Sequence, residues 1–491
     1  MASSSSTDAP PRQSSSLEAE PASRGPYVDA GVYRYERRSQ EFFSPGPHSA
    51  ERTVKAPSAI FNLASTIIGG GILSLPYAFD KCGLVLAFVF MIASSTASNF
   101  SLYVIVSCSR RGGVTTYEEI VRTALGPKAG LITVTLLVML TFLTMVAYVI
   151  LVKDLVGSLG EHFLYARAIT DGEKNMLTII CVAFVSPLLL ARSMDALRFT
   201  SIFSLLSVLL LAIAITIRAV QSLESSDNDA DPLLNAEPTS IKLFPTNWAD
   251  PVFAFPIISI SFLCHFNVLP VYKELHKPTR HRLKKIVSST MFSTWAFYMI
   301  VGTMGYLFAY QLPGGVKDDI LNNFAGNDTL INIGRLGLLM TIMLNMPLIM
   351  QPCRMNTVRL AKYVSSFVKA FTSRAENGED IALLTTPTAR HGTIKVSVPF
   401  GSENVLHVLL TASLIIGVVA LALVLPGVAV VWNVMGSTVG ILISYVLPCV
   451  SYLVIRQSKP NSDRRKVTAW GILAVGSILC LVCTFQAITS L

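Results

Sequence analysis

The sequence predicts an all-α polytopic membrane protein with eleven transmembrane helices, and three observations carry that prediction. Hydrophobic residues fill 52% of the 491 positions and charged residues only 14%, with a mean hydropathy of +0.56. A soluble domain carries about 25% charged residues. Apolar segments of roughly 20 residues, long enough to cross a bilayer, recur along most of the chain. The basic residues gather on alternate connecting loops, as a single threading direction requires.

In order, the spans are read near 57–79, 83–107, 131–159, 176–191, 199–219, 251–271, 286–310, 329–351, 405–424, 428–453 and 468–489. The fourth is the shortest. Residues 1–55 open with "MASSSSTDAPPRQSSSLEAEPASRGP". They lack the apolar core of a signal peptide, and their Ser/Pro-rich composition reads as a disordered cytosolic tail. Residues 56–491 form one transmembrane domain. Within it, the polar loop 355–404, with "TSRAENGEDIALLTTPTARHGT", reads as a solvated cytosolic linker.

Lysine and arginine set the direction. With the N-terminus in the cytosol, 31 of the 39 fall on cytosolic segments. The acidic stretch "ESSDNDADPLLNAEP" then lies outside, and "KELHKPTRHRLKK" inside. An odd number of spans puts the C-terminus on the outer or lumenal side. There Asn327-Asp328-Thr329 forms a glycosylation sequon, whereas Asn99-Phe100-Ser101 is submerged in span 2. The net charge of +9 sits on no basic, aromatic-rich soluble domain, which sets nucleic acid aside. The eight cysteines show no metal-ligand spacing, so neither a metal nor a cofactor is expected.

Span 1 contains "NLASTIIGGGILSLP" (62–76), three glycines and a proline where a membrane helix should be continuous. Freed backbone groups in hydrocarbon must find other partners. Span 6, "FPIISISFLCHFNVLPVY" (255–272), repeats the anomaly with His265, Asn267 and Pro270. The two odd spans run in opposite directions, as two inverted five-helix units would, with span 11 added. Paired interrupted helices in matching positions mark the substrate site of a secondary transporter.

A break frees N–H groups at one new helix end and carbonyls at the other, each end carrying about half an elementary charge. An amino acid zwitterion needs both polarities. The amides of Gly69, Gly70 and Gly71 admit a carboxylate closely because no Cβ intervenes. Carbonyls around Cys264 and His265 would receive the ammonium. The competing reading of the glycines is close helix packing. Tyr148, in the middle of span 3, either closes the pocket or belongs to a core-facing stripe. Lys153 and Asp154 lie near the outer end of that span, with Arg335 of span 8 as the expected partner of Asp154. Both fall beyond the inferred midplane, which favours a neutral substrate.

The run "FLCHFNVLPVYKELHKPTRHR" resembles the span-6 signature of the amino acid/auxin permease family, especially its sodium-coupled neutral amino acid transporter branch. "FNLASTIIGGGILSLPYAF" is similar to the family's span 1, and "PLIMQPCR" (347–354) to the end of its span 8. The resemblance covers roughly residues 55–490. It implies a LeuT-like fold and symport of small neutral amino acids, with the span-1 glycines on the substrate carboxylate. Ser65 and Thr341 would flank a coupling cation. Two departures stand out. Ser65 replaces the asparagine of sodium-coupled members, and the loops 220–250 and 311–328 hold none of the cysteines of their extracellular disulfide. Vacuolar or lysosomal, proton-coupled relatives therefore remain open beside plasma-membrane, sodium-coupled ones. A proton would need a group titrating near working pH, and His265, with an ordinary value of about 6.5, is the candidate relay.

The main rival is an amino acid sensor that keeps the pocket without moving its ligand. An integral membrane enzyme finds no support, since no H-E-x-x-H, carboxylate cluster or nucleophile motif occurs. The expected partners are an amino acid and the lipid bilayer, with no oligomeric state indicated.

Overall fold

The computed structural model describes residues 54–165, 169–190, 200–228, 241–276, 278–377, 402–458 and 460–489. Nearly all of the expected N-terminal tail and residues 378–401 of the expected linker lie outside them.

The chain enters the membrane domain through α1 (Ala56–Ile67), breaks, and resumes as α2 (Leu75–Cys82), bent by 53° from α1. Gly83 (φ +74°) turns the chain into α3 (Leu84–Gly112). A Cβ there would come within 2.7 Å of the Phe244 backbone, where residues 242–244 cross and accept the first two amides of α3. Then follow α4 (Tyr117–Leu125), α5 (Pro127–Gly160), α6 (Asp171–Leu189) and α7 (Thr200–Asn228). The second interrupted element is α8 (Ala249–Ser261) with α9 (Val268–Glu274). The chain continues with α10 (Arg280–Ala309), α11 (Thr329–Asn377), α12 (Ser402–Val424), α13 (Val428–Met435), α14 (Leu447–Ile455) and α15 (Arg464–Thr489).

Among the described residues no β-strand forms; a single bridge pairs Val54 with Leu275. Among the described residues nine helices are long and apolar enough to span a membrane, and the bent α1–α2 pair makes a tenth. At 13 residues, α8 falls short on its own. The spanning part of α5 and the 428–455 stretch are each 61% buried, against 17% for α12 and α15. The former are the axis of the bundle. The latter turn large side chains such as Ile416, Leu481 and Phe485 outward, as lipid-facing helices do.

Three sequence expectations are corrected here. Residues 355–377 continue α11 instead of opening a linker: Arg359 reaches the Glu118 carboxylate at 3.8 Å, and Tyr363 hydrogen-bonds Glu118 at 2.5 Å. That carboxylate belongs to α4, a short amphipathic helix between the second and third expected spans, started by a reciprocal Thr116–Glu119 cap. Arg335 does not pair with Asp154. It is 1% exposed and donates to the carbonyls of Leu321 and Phe324 and to Asn332 Oδ1, because the 320–324 turn folds over it. Cys82, which the expected spans 57–79 and 83–107 leave in the outer loop between them, is the buried last residue of α2.

Candidate functional site

The two breaks are built alike. The last regular residue of α1 is Ile67; Ile68 and Gly69 leave the helix, and a single 3₁₀ turn (Gly70–Ser74) leads into α2. In the other half, α8 ends at Ser261, residues 262–267 are non-helical, and α9 begins at Val268. Pro76 is the second residue of α2 and Pro270 the third of α9. Each starts a half-helix, where the N–H that proline lacks would have had no intrahelical acceptor.

Two side chains tie the breaks together. Tyr298 of α10, fully buried, lies with its hydroxyl 2.7 Å from the carbonyl of Ile67 and 3.1 Å from that of Ser261. Its single proton is shared between the buried C-terminal ends of α1 and α8. Asn267 Nδ2 donates to Thr66 Oγ1 at 2.8 Å. At the other end of the same half-helices, Val54 N–H donates to Glu274 O and His276 N–H to Val54 O. Thus α1 and α9 are joined at the break and at the membrane surface.

The glycine turn is left with donors. Among the described residues no acceptor takes the amides of Gly69, Gly70 or Gly71, although Ile68 and Ile72 on either side are satisfied by Ala64 O and Gly69 O. Unpaired amides at a helix start can take an anion, which makes this turn the candidate site. Its walls come from three elements. A Cβ at Gly69 would lie 3.4 Å from the Tyr148 hydroxyl, and one at Gly71 3.4 Å from Ser261 Oγ. A Cβ at Gly70 would lie 2.5 Å from Leu151 Cδ1, 3.5 Å from Tyr148 Cε1 and 3.6 Å from Trp432 Cζ2. No charged side chain appears among these neighbours.

Of the residues singled out in the sequence, Tyr148 therefore stands against Gly69 and Gly70, while Gly71 faces Ser261. His265 does not stand against them. It is fully buried, with Nε2 2.6 Å from Ser101 Oγ on α3, while its Nδ1 has no partner. Cys264 is also fully buried, and its carbonyl accepts the Asn267 N–H at 2.9 Å. Ser65 Oγ donates to Asn62 O within its own helix. Thr341 is 3% exposed and its hydroxyl has no partner. Asn327 is exposed just before α11, next to Asp328, which caps that helix and pairs with Arg218 at 2.7 Å.

Four residues of the site were not read from the sequence: Leu151, Ser261, Tyr298 and Trp432. Trp432 is 5% exposed and its indole Nε1 has no partner. Its signal was available, an indole placed mid-span just before "MGSTVG", where the helix widens into two π-helical turns (Gly436–Gly440 and Leu442–Val446). Such turns recur at functional sites.

The family model described as transmembrane amino acid transporter protein matches residues 52–489. A Bos taurus protein that carries the name sodium-coupled neutral amino acid transporter 11 is 24% identical over 445 residues, covering 89% of this chain and 84% of that protein. Among solved structures, MhsT in complex with L-phenylalanine has a TM-score of 0.50 at 13% identity, covering 87% of this chain and 98% of its own. Mhp1, a nucleobase-cation-symport-1 family transporter in a closed conformation with bromovinylhydantoin bound, has a TM-score of 0.53 at 12% identity, covering 90% and 92%. These two likenesses concern the fold, the LeuT-like arrangement expected above.

Proposed function

The chain belongs to the transmembrane amino acid transporter family, and on that premise we propose that it moves small neutral amino acids by ion-coupled symport with alternating access. Transport of amino acids follows from membership. The finer reading rests above all on the row of three unpaired glycine amides beside Tyr148. They would take the substrate carboxylate, with carbonyls of the 262–267 stretch, around Cys264 and His265, taking the ammonium. Leu151, Tyr148 and Trp432 press on the turn and offer no charge, which suits a small, neutral side chain.

For the coupling ion two sets of groups stand ready. Ser65 and Thr341 supply hydroxyl oxygens to a sodium ion, a reading favoured by the unpartnered Thr341 hydroxyl and by the name of the bovine relative. His265 with Ser101 supplies a proton relay beside the second break. Alternating access would come from the joined α1 and α9 swinging as one body about the two breaks.

The transmembrane domain, 56–491, follows a cytosolic tail, 1–55, in the plasma membrane or a vacuolar or lysosomal membrane, with the C-terminus outside or in the lumen. Asn327 is the proposed glycosylation site. Uptake across a panel of amino acids, with choline replacing sodium and with a protonophore, tests substrate and ion together. Uptake of neutral amino acids that depends on one of the two gradients is expected. Binding without flux would make the protein a sensor.

A further inference from the structure

A groove of about 600 Å³ runs along the outside of the bundle between α3, α10 and α15, away from the glycine turn. Its upper part is apolar, lined by Ala97 and Phe100 of α3 and Ile472 of α15. Its floor is the mutual Asn99–Ser288 hydrogen bond at 3.3 Å, which joins α3 to α10. Its lower end is basic: Lys284 at the start of α10 and Arg465 at the start of α15 both line it. None of its lining residues is acidic. A second groove of about 440 Å³ shares Lys284 and Ser288 and adds His281 and Lys285. Residues 281, 284, 285 and 288 recur at the three- and four-residue spacing of one helix face, so the charge is concentrated on one side of α10.

The Arg465 guanidinium is held in place. It donates to the Tyr103 hydroxyl at 3.1 Å and lies 5.1 Å from that ring's centroid. This fixes a cation at the mouth of an apolar channel, at the depth where spanning helices begin. Lys284 remains exposed opposite it. A channel with one charged end and an apolar wall, opening to the bilayer, has the polarity of a phospholipid. Basic pockets between helices at the cytoplasmic end of a bundle hold anionic headgroups in this way.

We propose that this groove is a binding site for an anionic phospholipid, its phosphate between Lys284 and Arg465 and an acyl chain along Ala97, Phe100 and Ile472. The site is separate from the amino acid site, but α10 also carries Tyr298, which bonds both helix breaks. A lipid seated here braces the helix that holds the breaks together.

The test uses the full-length protein in discs of phosphatidylcholine, with or without spin-labelled phosphatidylserine, and reads bound lipid and melting temperature. Wild-type protein is expected to retain phosphatidylserine and to melt higher with it. The K284Q/R465Q variant should bind it roughly thirtyfold more weakly, as loss of two cationic contacts implies. Ala97→Trp, which fills the channel, should also displace the lipid. Both variants should melt like wild type in phosphatidylcholine alone, and Arg464→Gln, outside the groove, should bind normally. Equal retention by K284Q/R465Q, equal loss in Arg464→Gln, or an identical rise in melting temperature with inorganic phosphate alone would overturn the proposal. The first two outcomes would leave only diffuse surface charge, and the third a simple anion site.

Discussion

Asn267, in the unwound stretch between α8 and α9, donates to the Thr66 hydroxyl in the last turn of α1 at 2.8 Å, across 201 positions of sequence. Thr66 in turn donates to Asn62 O at 2.8 Å, so its oxygen both gives and receives. The bond joins the two interrupted helices directly. Both side chains are half-buried, so loss of the bond costs about 1 kcal/mol, and each residue holds the other in place. Asn267→Ala and Thr66→Val should each lower the melting temperature and the transport rate, and the double variant should lose little beyond either one. A double-mutant cycle on purified protein checks this. Fully additive losses would mean that the two side chains act separately.

The glycine turn separates packing from binding at one position. At Gly70 a methyl group would meet Leu151 Cδ1 at 2.5 Å, so Gly70→Ala also displaces the Leu151 side chain and mixes packing with binding. Combining it with Leu151→Ala removes the obstacle. The double variant is expected to reach the membrane yet transport at least tenfold less efficiently than Leu151→Ala, about 1.4 kcal/mol, because the methyl still crowds the amides. Transport equal to that of Leu151→Ala would reduce the glycine to a packing residue.

The pattern of what the sequence revealed follows from this geometry. Gly69–Gly71 with Pro76, and His265 with Pro270, announced both breaks because they violate the helical pattern within a single span. Tyr148 was legible as an aromatic at the right depth. Tyr298 and Ser261 were not, since their roles depend on the rotation of α10 and α8 against α1, and that is fixed by packing between segments more than 30 residues apart. His265 illustrates the limit. Its polarity identified the break, but an irregular segment has no period from which to read the side chain's direction, and it faces Ser101. The helical run 355–377 was hidden by its polarity, which suits docking on Glu118 as well as it suits solvent.

Trp432 offers a test of the pocket wall. Its ring edge lies 3.6 Å from where a Gly70 Cβ would stand, and its indole N–H is unpaired. Trp432→Phe keeps the ring and loses the N–H, while Trp432→Ala loses both. Trp432→Ala is expected to raise KM roughly tenfold, about 1.4 kcal/mol of lost contact, and Trp432→Phe by less. Concentration-dependent uptake measures both. An unchanged KM in Trp432→Ala would remove this residue from the site.

Asp319, on the loop before α11, is fully buried; its Oδ1 accepts the Leu321 N–H at 2.9 Å and its Oδ2 has no partner. Burial first, and the Asp154 carboxylate second, push its pKa well above the usual carboxylate range. The folded state therefore holds its proton more tightly than the unfolded chain. That contribution is fully present below the ordinary carboxylate pKa and is lost as pH rises through the folded value. Asp319→Asn keeps the acceptor for Leu321 and abolishes the titration. Relative to wild type, the variant should gain thermal stability as pH is raised from 4 to 8, about the window above the ordinary carboxylate value. A constant difference in melting temperature across that range would contradict the assignment.

The central claim, that the glycine amides receive a carboxylate from a transported substrate, is tested most directly by concentrative uptake into liposomes containing the purified full-length protein. A small neutral amino acid is supplied against its own carboxamide, under an imposed sodium or proton gradient. The amino acid should accumulate above its external concentration and stop when the gradient is dissipated, and the carboxamide should neither accumulate nor compete. Equal uptake or equal competition by the carboxamide would show that the carboxylate is not what the glycine turn binds.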